Sequence, residues 1–372
     1  MHHISVDPSG GRGTPGSGPG SRRRYAAGVT AALAAGLMLT AAPTAHADTI
    51  TDTIEVGNYP DEVTITPDGN RAYVTGNLDG TVSVIDTTTN TVTTTIDVGN
   101  YPGKVAFTPD GTRAYIPVSD NDSVSVIDTT TNAVIDTINV GYEPKGVAIT
   151  PDGTRAYVTQ VHTNPSVVSV IDTITNMVTT TVPIDDWSYN LAITPDGNRA
   201  YVTNWRGNSV SVVDTNTNTV TTTIDVGGLA SQVAITPDGT RAYVTSGDKV
   251  SVIDTTTNTV VDAVAVGASL RSLAITPDGT RAYVTSGSEV SVIDTTTNRV
   301  ITTTKVGRFQ WDASSAPRAE GVAITPDGTR AYVAVNGFEF GWRWLPSAVS
   351  VIAIDDAQSP LGSLGSLGWP PS

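Results

Sequence analysis

Seven near-copies of one string, short β-branched runs between them, and two chain ends that complement each other predict an all-β fold. The expected architecture is a seven-bladed β-propeller of four-stranded antiparallel blades, its ring closed by the N-terminal strand completing the last blade. The string is T-P-D-G-[NT]-R-A-Y, with its proline at Pro67, Pro109, Pro151, Pro195, Pro237, Pro277 and Pro326. The spacings of 42, 42, 44, 42, 40 and 49 residues hold four strands and their turns. Coils of a β-solenoid are shorter and lack a repeated hairpin turn.

The elements follow in chain order. Residues 1–20 are rich in Gly, Pro and Ser, and lead into Arg22, Arg23 and Arg24, a weakly apolar stretch from Ala26 to Ala42, and Ala45-His46-Ala47. A cationic start, a short apolar region and an A-x-A site read as an export signal over residues 1–47, with no membrane insertion once it is cleaved. Ser21-Arg22-Arg23-Arg24-Tyr25 also resembles a twin-arginine signal, although Ala26 and Ala27 depart from that pattern. The expected location is secreted, periplasmic or cell-envelope. Residues 48–355 are the propeller. Within one repeat, Val147-Ala-Ile149, Ala156-Tyr-Val158, Val168-Ser-Val-Ile171 and Met177-Val-Thr-Thr-Thr-Val182 read as strands A to D.

Between A and B, Thr66-Pro67-Asp68-Gly69 puts Pro where φ must be near −65° and Gly where φ is positive. Between C and D, Asp86-Thr-Thr-Thr-Asn90 recurs at Asp128, Asp172, Asp214, Asp254 and Asp294, and Asp and Asn there bond nearby backbone amides. The seventh repeat ends in Val349-Ser-Val-Ile-Ala-Ile354 with no strand D. Thr49-Ile-Thr-Asp-Thr-Ile-Glu-Val-Gly-Asn-Tyr-Pro60 parallels the strand D and exit at residues 91–102, so it supplies the missing strand. Residues 356–372 read as a flexible tail.

The repeat resembles the YVTN-type β-propeller family. Tyr201-Val-Thr-Asn204 is the literal tetrapeptide, and Tyr73-Val-Thr-Gly76, Tyr157-Val-Thr-Gln160, Tyr243-Val-Thr-Ser246 and Tyr283-Val-Thr-Ser286 are close. Tyr115-Ile-Pro-Val118 and Tyr332-Val-Ala-Val335 depart from it. The resemblance spans residues 49–355 and implies the fold. That family and its relatives include surface-layer and exported binding proteins and lactonase-like enzymes, so it does not select one function.

A propeller places its A-B and C-D turns on one face and its B-C and D-A loops on the other, beside the channel mouth. Here the first set is nearly invariant and the second varies, which directs any function to the second. Five of six tryptophans fall in those loops, and aromatics with Arg are what binding surfaces use. The expected binding residues are Trp187, Tyr189, Trp205, Arg206, Arg308, Trp311, Phe338, Phe340, Trp342, Arg343 and Trp344. A second reading of these aromatics is a small core under the 15-residue loop of blade seven. The repeat arginines, one per blade, are expected to brace each blade or to pair with the Asp68-type acid.

The composition bounds the chemistry. There is no cysteine, so there is no disulfide, thiolate metal site or cysteine nucleophile. A net charge of −15 opposes nucleic acid. After cleavage at Ala47, 325 residues remain with a charge of −18 and one histidine, His162. A lone loop histidine without a G-x-S-x-G elbow argues against a nucleophilic triad. Ca²⁺ remains open through Asp120-Asn-Asp122 and Asp185-Asp186, without EF-hand spacing. No other cofactor is expected. The reading is therefore a monomeric, exported, non-catalytic propeller that binds a protein, glycan or small ligand. The alternative is a lactonase-like hydrolase with a metal or carboxylate site at the channel mouth.

Overall fold

The computed structural model describes residues 48–161, 165–184, 187–307, 317–337, 339–340, 343–344 and 347–355. The expected leader 1–47 and tail 356–372 lie outside them. Seven four-stranded antiparallel sheets form the ring. Blade four runs Ser188–Ile193, Arg199–Asn204, Ser209–Asp214 and Thr219–Asp225 from channel to rim. Strands A of neighbouring blades touch one another from blade two round to blade seven, and that of blade seven touches that of blade one. The outermost strands are rich in exposed Thr, a residue that keeps β propensity while tolerating water.

Blade seven is assembled as the chain ends imply. Thr49–Glu55 pairs antiparallel with Ala348–Ala353, which pairs with Arg330–Asn336. The apolar core is divided among the gaps between blades. Ile54, Val63, Ala72, Tyr332, Val349 and Val351 fill the gap between blades seven and one, and Tyr201, Val212, Val233 and Val244 that between four and five.

The repeated motif residues act mainly on the next blade. Gly69 has φ +75°, as the tight A-B turn requires, and Pro67 packs against the corresponding Gly111 of blade two. Asp86 Oδ1 accepts from the amides of Thr88 and Thr89 at 2.9 and 2.8 Å, the expected turn chemistry. Asn90 does something different. It takes a left-handed φ of 53°, and its Oδ1 accepts the Tyr332 hydroxyl of blade seven at 2.7 Å. The same bond joins Tyr73 to Asn132, Tyr115 to Asn176, Tyr157 to Asn218, Tyr201 to Asn258 and Tyr243 to Asn298.

The repeat arginines brace, as expected, but they do so on backbone. Arg113 Nη1 donates to the Thr173 carbonyl of the next blade at 2.9 Å, and Arg71, Arg155, Arg199, Arg241 and Arg330 do likewise. The Asp68 carboxylate instead accepts from Thr66 Oγ1 and from the Asn70 amide and side chain. These bonds hold its pKa below the ordinary value, the Thr66 hydroxyl foremost.

Blade six faces a partner with no C-D turn. There the Tyr283 hydroxyl donates to Asp48 Oδ2 at 2.7 Å, so an acid at the start of the closing strand stands in for the missing Asn. Asp48 is buried, and its Oδ1 and carbonyl also accept from the Asp355 amide and Thr304 Oγ1, both at 3.3 Å.

Candidate functional site

Strand A carries one extra residue against strand B at its channel end. This bulge recurs between Pro60 and Val63, Pro144 and Val147, Ser188 and Leu191, Ala230 and Val233, and Leu270 and Leu273. The amides of Glu62, Gly146, Asn190, Gln232 and Ser272 inside it each donate to the Thr Oγ1 of the same blade's Tyr-Val-Thr, at 2.8–3.2 Å. That is the work of the third motif residue. In blade two the position is Pro117, and its carbonyl receives the Gly103 amide at 2.8 Å instead.

The two bulge positions of each blade differ around the ring. Blade one offers Asp61 and Glu62, blade three Lys145, blade four Tyr189 and Asn190, blade five Ser231 and Gln232, and blade six Arg271 and Ser272. Their bonds cross the channel. Lys145 Nζ of blade three meets Asp61 Oδ2 of blade one at 2.9 Å. Gln232 Nε2 of blade five donates to Glu62 Oε1 of blade one at 2.9 Å, and Gln232 Oε1 accepts from Asn190 Nδ2. Gly103 has no side chain because a Cβ would run into the Lys145 carbonyl. The channel is thus crossed by a polar network.

The network is electrostatically uneven. Solvent touches part of Glu62, but protein surrounds it, and burial aided by Asp61 raises its pKa to about 7 against the pull of Lys104, Lys145 and Gln232. Burial pulls the Lys145 ammonium down, yet Asp61, Tyr189 and Glu62 together hold its pKa above the ordinary value. Burial likewise raises Tyr189, helped by Asp61 and Glu62 and opposed by Lys145 and Arg271. Burial raises Glu320, whose Oε2 lies 3.6 Å from Arg271 Nε.

Above the network, two adjoining cavities of about 300 and 310 Å³ open over blades four to six. Tyr189, Trp187 and Val161 line the first, Leu229 and Thr245 the second, and Trp205, Ser231, Leu270 and Arg271 both. Trp187 and Trp205 stack with centroids 5.7 Å apart and planes 23° from parallel. Arg206 lays its guanidinium 3.5 Å from the Trp187 centroid, within cation–π range. The stack is positioned by backbone. Trp187 takes a left-handed φ of 43°, and its carbonyl accepts the Trp205 amide at 2.9 Å. Tyr59 and Tyr101 hold the same place in blades one and two, at φ 54° and 56°, and are exposed.

Trp187, Tyr189, Trp205 and Arg206 therefore come together as one wall. Arg308, Trp311, Phe338 and Trp342 lie outside the described residues. Phe340, Arg343 and Trp344 are placed by backbone alone, in a two-stranded ribbon of Glu339–Phe340 against Arg343–Trp344 within the long B-C loop. That ribbon is an element the sequence reading did not anticipate. The channel residues Asp61, Glu62, Lys145, Gln232 and Arg271 were missing from the expected site. Their signal was available, since the fifth and sixth residues before each repeat proline vary in charge and size while the next residue is always Val or Leu.

Two larger clefts, of about 400 and 380 Å³, lie on the turn face. Each is lined by the same repeat positions, Thr276, Pro277, Asp278 and Arg281 in one and Thr108, Pro109, Asp110 and Arg113 in the other. They are by-products of the repeat geometry. Among the described residues, no group of three or more His, Asp or Glu is arranged to hold a metal ion. Asp120 accepts from Asn100 Nδ2 and Asp122 from the Glu143 amide, while Asp185, Asp186 and His162 lie outside the described residues. Among the described residues, no helix is long and apolar enough to cross a membrane.

Comparison with known proteins agrees with the architecture. The family model described as Choice-of-anchor I domain matches residues 37–190, less than half of the chain. No curated protein matches. Among solved structures, the chain is similar to Kuenenia stuttgartiensis Hydrazine Synthase, with a TM-score of 0.67, 22% identity, and coverage of 80% of this chain and 97% of that one. At that identity the likeness is one of fold. With 1686 solved chains matching, the fold alone does not choose among functions. The chain is a seven-bladed β-propeller.

Proposed function

We propose that this chain is an exported, non-catalytic propeller of the YVTN type that binds a ligand through the mouth of its channel over blades four to six. One observation carries the reading. On a ring whose opposite face repeats blade by blade, this is where stacked Trp187 and Trp205, Tyr189 and Arg271 converge on a concave surface. Sites of that kind, apolar walls with a few placed polar groups, are where small ligands and peptide anchors bind. Export rests on the leader-like residues 1–47, and the Choice-of-anchor match is consistent with a surface or secreted setting.

Hydrogen–deuterium exchange tests the placement. Screening the chain against glycans, peptides and organic acids, then mapping the best binder, is expected to protect amides 187–191, 203–207 and 229–232. Trp205→Ala is expected to weaken that binding at least tenfold, with the fold retained. A footprint confined to the A-B and C-D turns would overturn the reading.

A second reading, a hydrolase at the channel mouth, draws on Glu62, whose pKa near 7 is that of a usable acid or base. Binding is favoured over it because the Glu62 carboxylate and Lys145 are already engaged by Gln232 and Asp61.

A further inference from the structure

We infer that the ligand at this mouth carries a single carboxylate on a six-membered ring, the carboxylate docking on Arg271 and the ring face lying along Trp205 and Leu270. This rests on the binding reading above and assigns its chemistry.

Arg271 is the arginine that lines both mouth cavities. Six repeat arginines donate to a carbonyl of the next blade, and Arg206 lies on Trp187. Arg271 Nε instead stands 3.6 Å from Glu320, beyond hydrogen-bond range, and its side chain is 47% exposed. Among the described residues its guanidinium makes no direct hydrogen bond, and it borders both cavities. A planar fork of unspent donors matches a carboxylate in two parallel bonds.

The neighbours set the rest of the ligand. Trp205 and Leu270 give both cavities an apolar side, which suits the flat face of a ring. The Tyr189 hydroxyl has no hydrogen-bond partner among the described residues, and burial keeps it protonated and able to donate. Glu320 beside Arg271 offsets part of its charge, which disfavours a dianion such as a phosphate monoester. The shared chemistry has two sources, a uronic acid unit of a polysaccharide or an aromatic carboxylate.

The test titrates the chain with trigalacturonate, 4-hydroxybenzoate and maltotriose, reading tryptophan fluorescence and heat. At least one carboxylate is expected to bind at least tenfold more tightly than neutral maltotriose. Arg271→Gln should remove that preference, and Arg271→Lys should restore it only in part, since the charge remains without the fork. Thermal unfolding of Arg271→Gln within about 2 °C of the parent confirms that folding is intact. Preference for trigalacturonate identifies the uronate source, and for 4-hydroxybenzoate the aromatic one. Equal binding of maltotriose, or carboxylate binding unmoved by Arg271→Gln, would overturn the inference while leaving a mouth-bound ligand in place. Failure of both carboxylates to bind at millimolar concentration would also overturn it.

Discussion

The two faces of this propeller are built from the same strands and treat sequence in opposite ways. On the turn face, six tyrosines reach six asparagines and six arginines reach six carbonyls, each bond joining one blade to the next. On the mouth face, the bulge positions run from Asp61-Glu62 through Lys145-Gly146 and Tyr189-Asn190 to Arg271-Ser272. The difference shows how a repeat protein separates tasks. Redundant bonds on one side hold the ring, which frees the other side to vary at small cost to stability.

The largest test attacks the ring itself. Deleting residues 48–55 removes the strand paired with Ala348–Ala353 and uncovers Val349 and Val351. Loss of the cooperative thermal transition and self-association in size-exclusion chromatography are expected. A truncated chain that melts like the parent would show that blade seven does not need its borrowed strand.

Next come the latches, one ordinary and one improvised. Tyr201→Phe leaves Asn258 Oδ1 without its donor and should cost about 1–2 kcal/mol in urea unfolding. Asp48→Ala strips acceptors from Tyr283 and the Asp355 amide and should cost more, about 2–3 kcal/mol, whereas Asp48→Asn should recover most of the loss. Neither change should alter ligand affinity. A cost below about 0.5 kcal/mol at Tyr201 would remove the turn face from the account of stability.

The smallest effect separates the faces by pH. Glu62 holds its proton more tightly folded, near pH 7, than unfolded, near 4.5. The folded state therefore binds more protons between those values, and stability falls as pH rises through that window, levelling off above it. Glu62→Gln should flatten this slope and stabilise the chain above pH 7 by about 1–3 kcal/mol. The turn acids Asp68 and Asp86 move the other way. Their folded pKa values are depressed, so their contribution is present at neutral pH and lost on acidification. Unchanged pH dependence of unfolding in Glu62→Gln would show that the channel network does not strain this carboxylate. Catalysis of lactone or ester hydrolysis that disappears in Glu62→Gln would favour the hydrolytic reading.

Much of this was legible in the chain because repetition multiplies local signals. One Pro-Asp-Gly turn is weak evidence, but seven in register fix the blade count, and the likeness of residues 49–60 to 91–102 reveals the seam. The aromatic wall was half legible. Trp187 and Trp205 stand out in variable loops, but their stacking depends on a left-handed Trp187 that composition does not announce. The channel network was hidden for a physical reason. Its partners lie 84 and 170 residues apart, and an Asp61 beside a Glu62 reads as a solvated loop until the ring brings Lys145 and Gln232 to them. The inter-blade role of Asn90 was missed in the same way, since its partner Tyr332 lies at the other end of the chain.

The seam has a kinetic meaning as well. Contacts such as Thr51 with Val351 join residues 300 apart. Closing a loop of that length costs about 3 kcal/mol more entropy than closing a ten-residue hairpin. The first strand of the domain to be made must therefore wait for the last, and each blade can zip up locally before the circle is sealed. A chain missing either end offers an open sheet edge in place of a finished blade. The architecture thus distinguishes complete chains from incomplete ones, leaving the latter exposed to proteolysis and pairing with other strands.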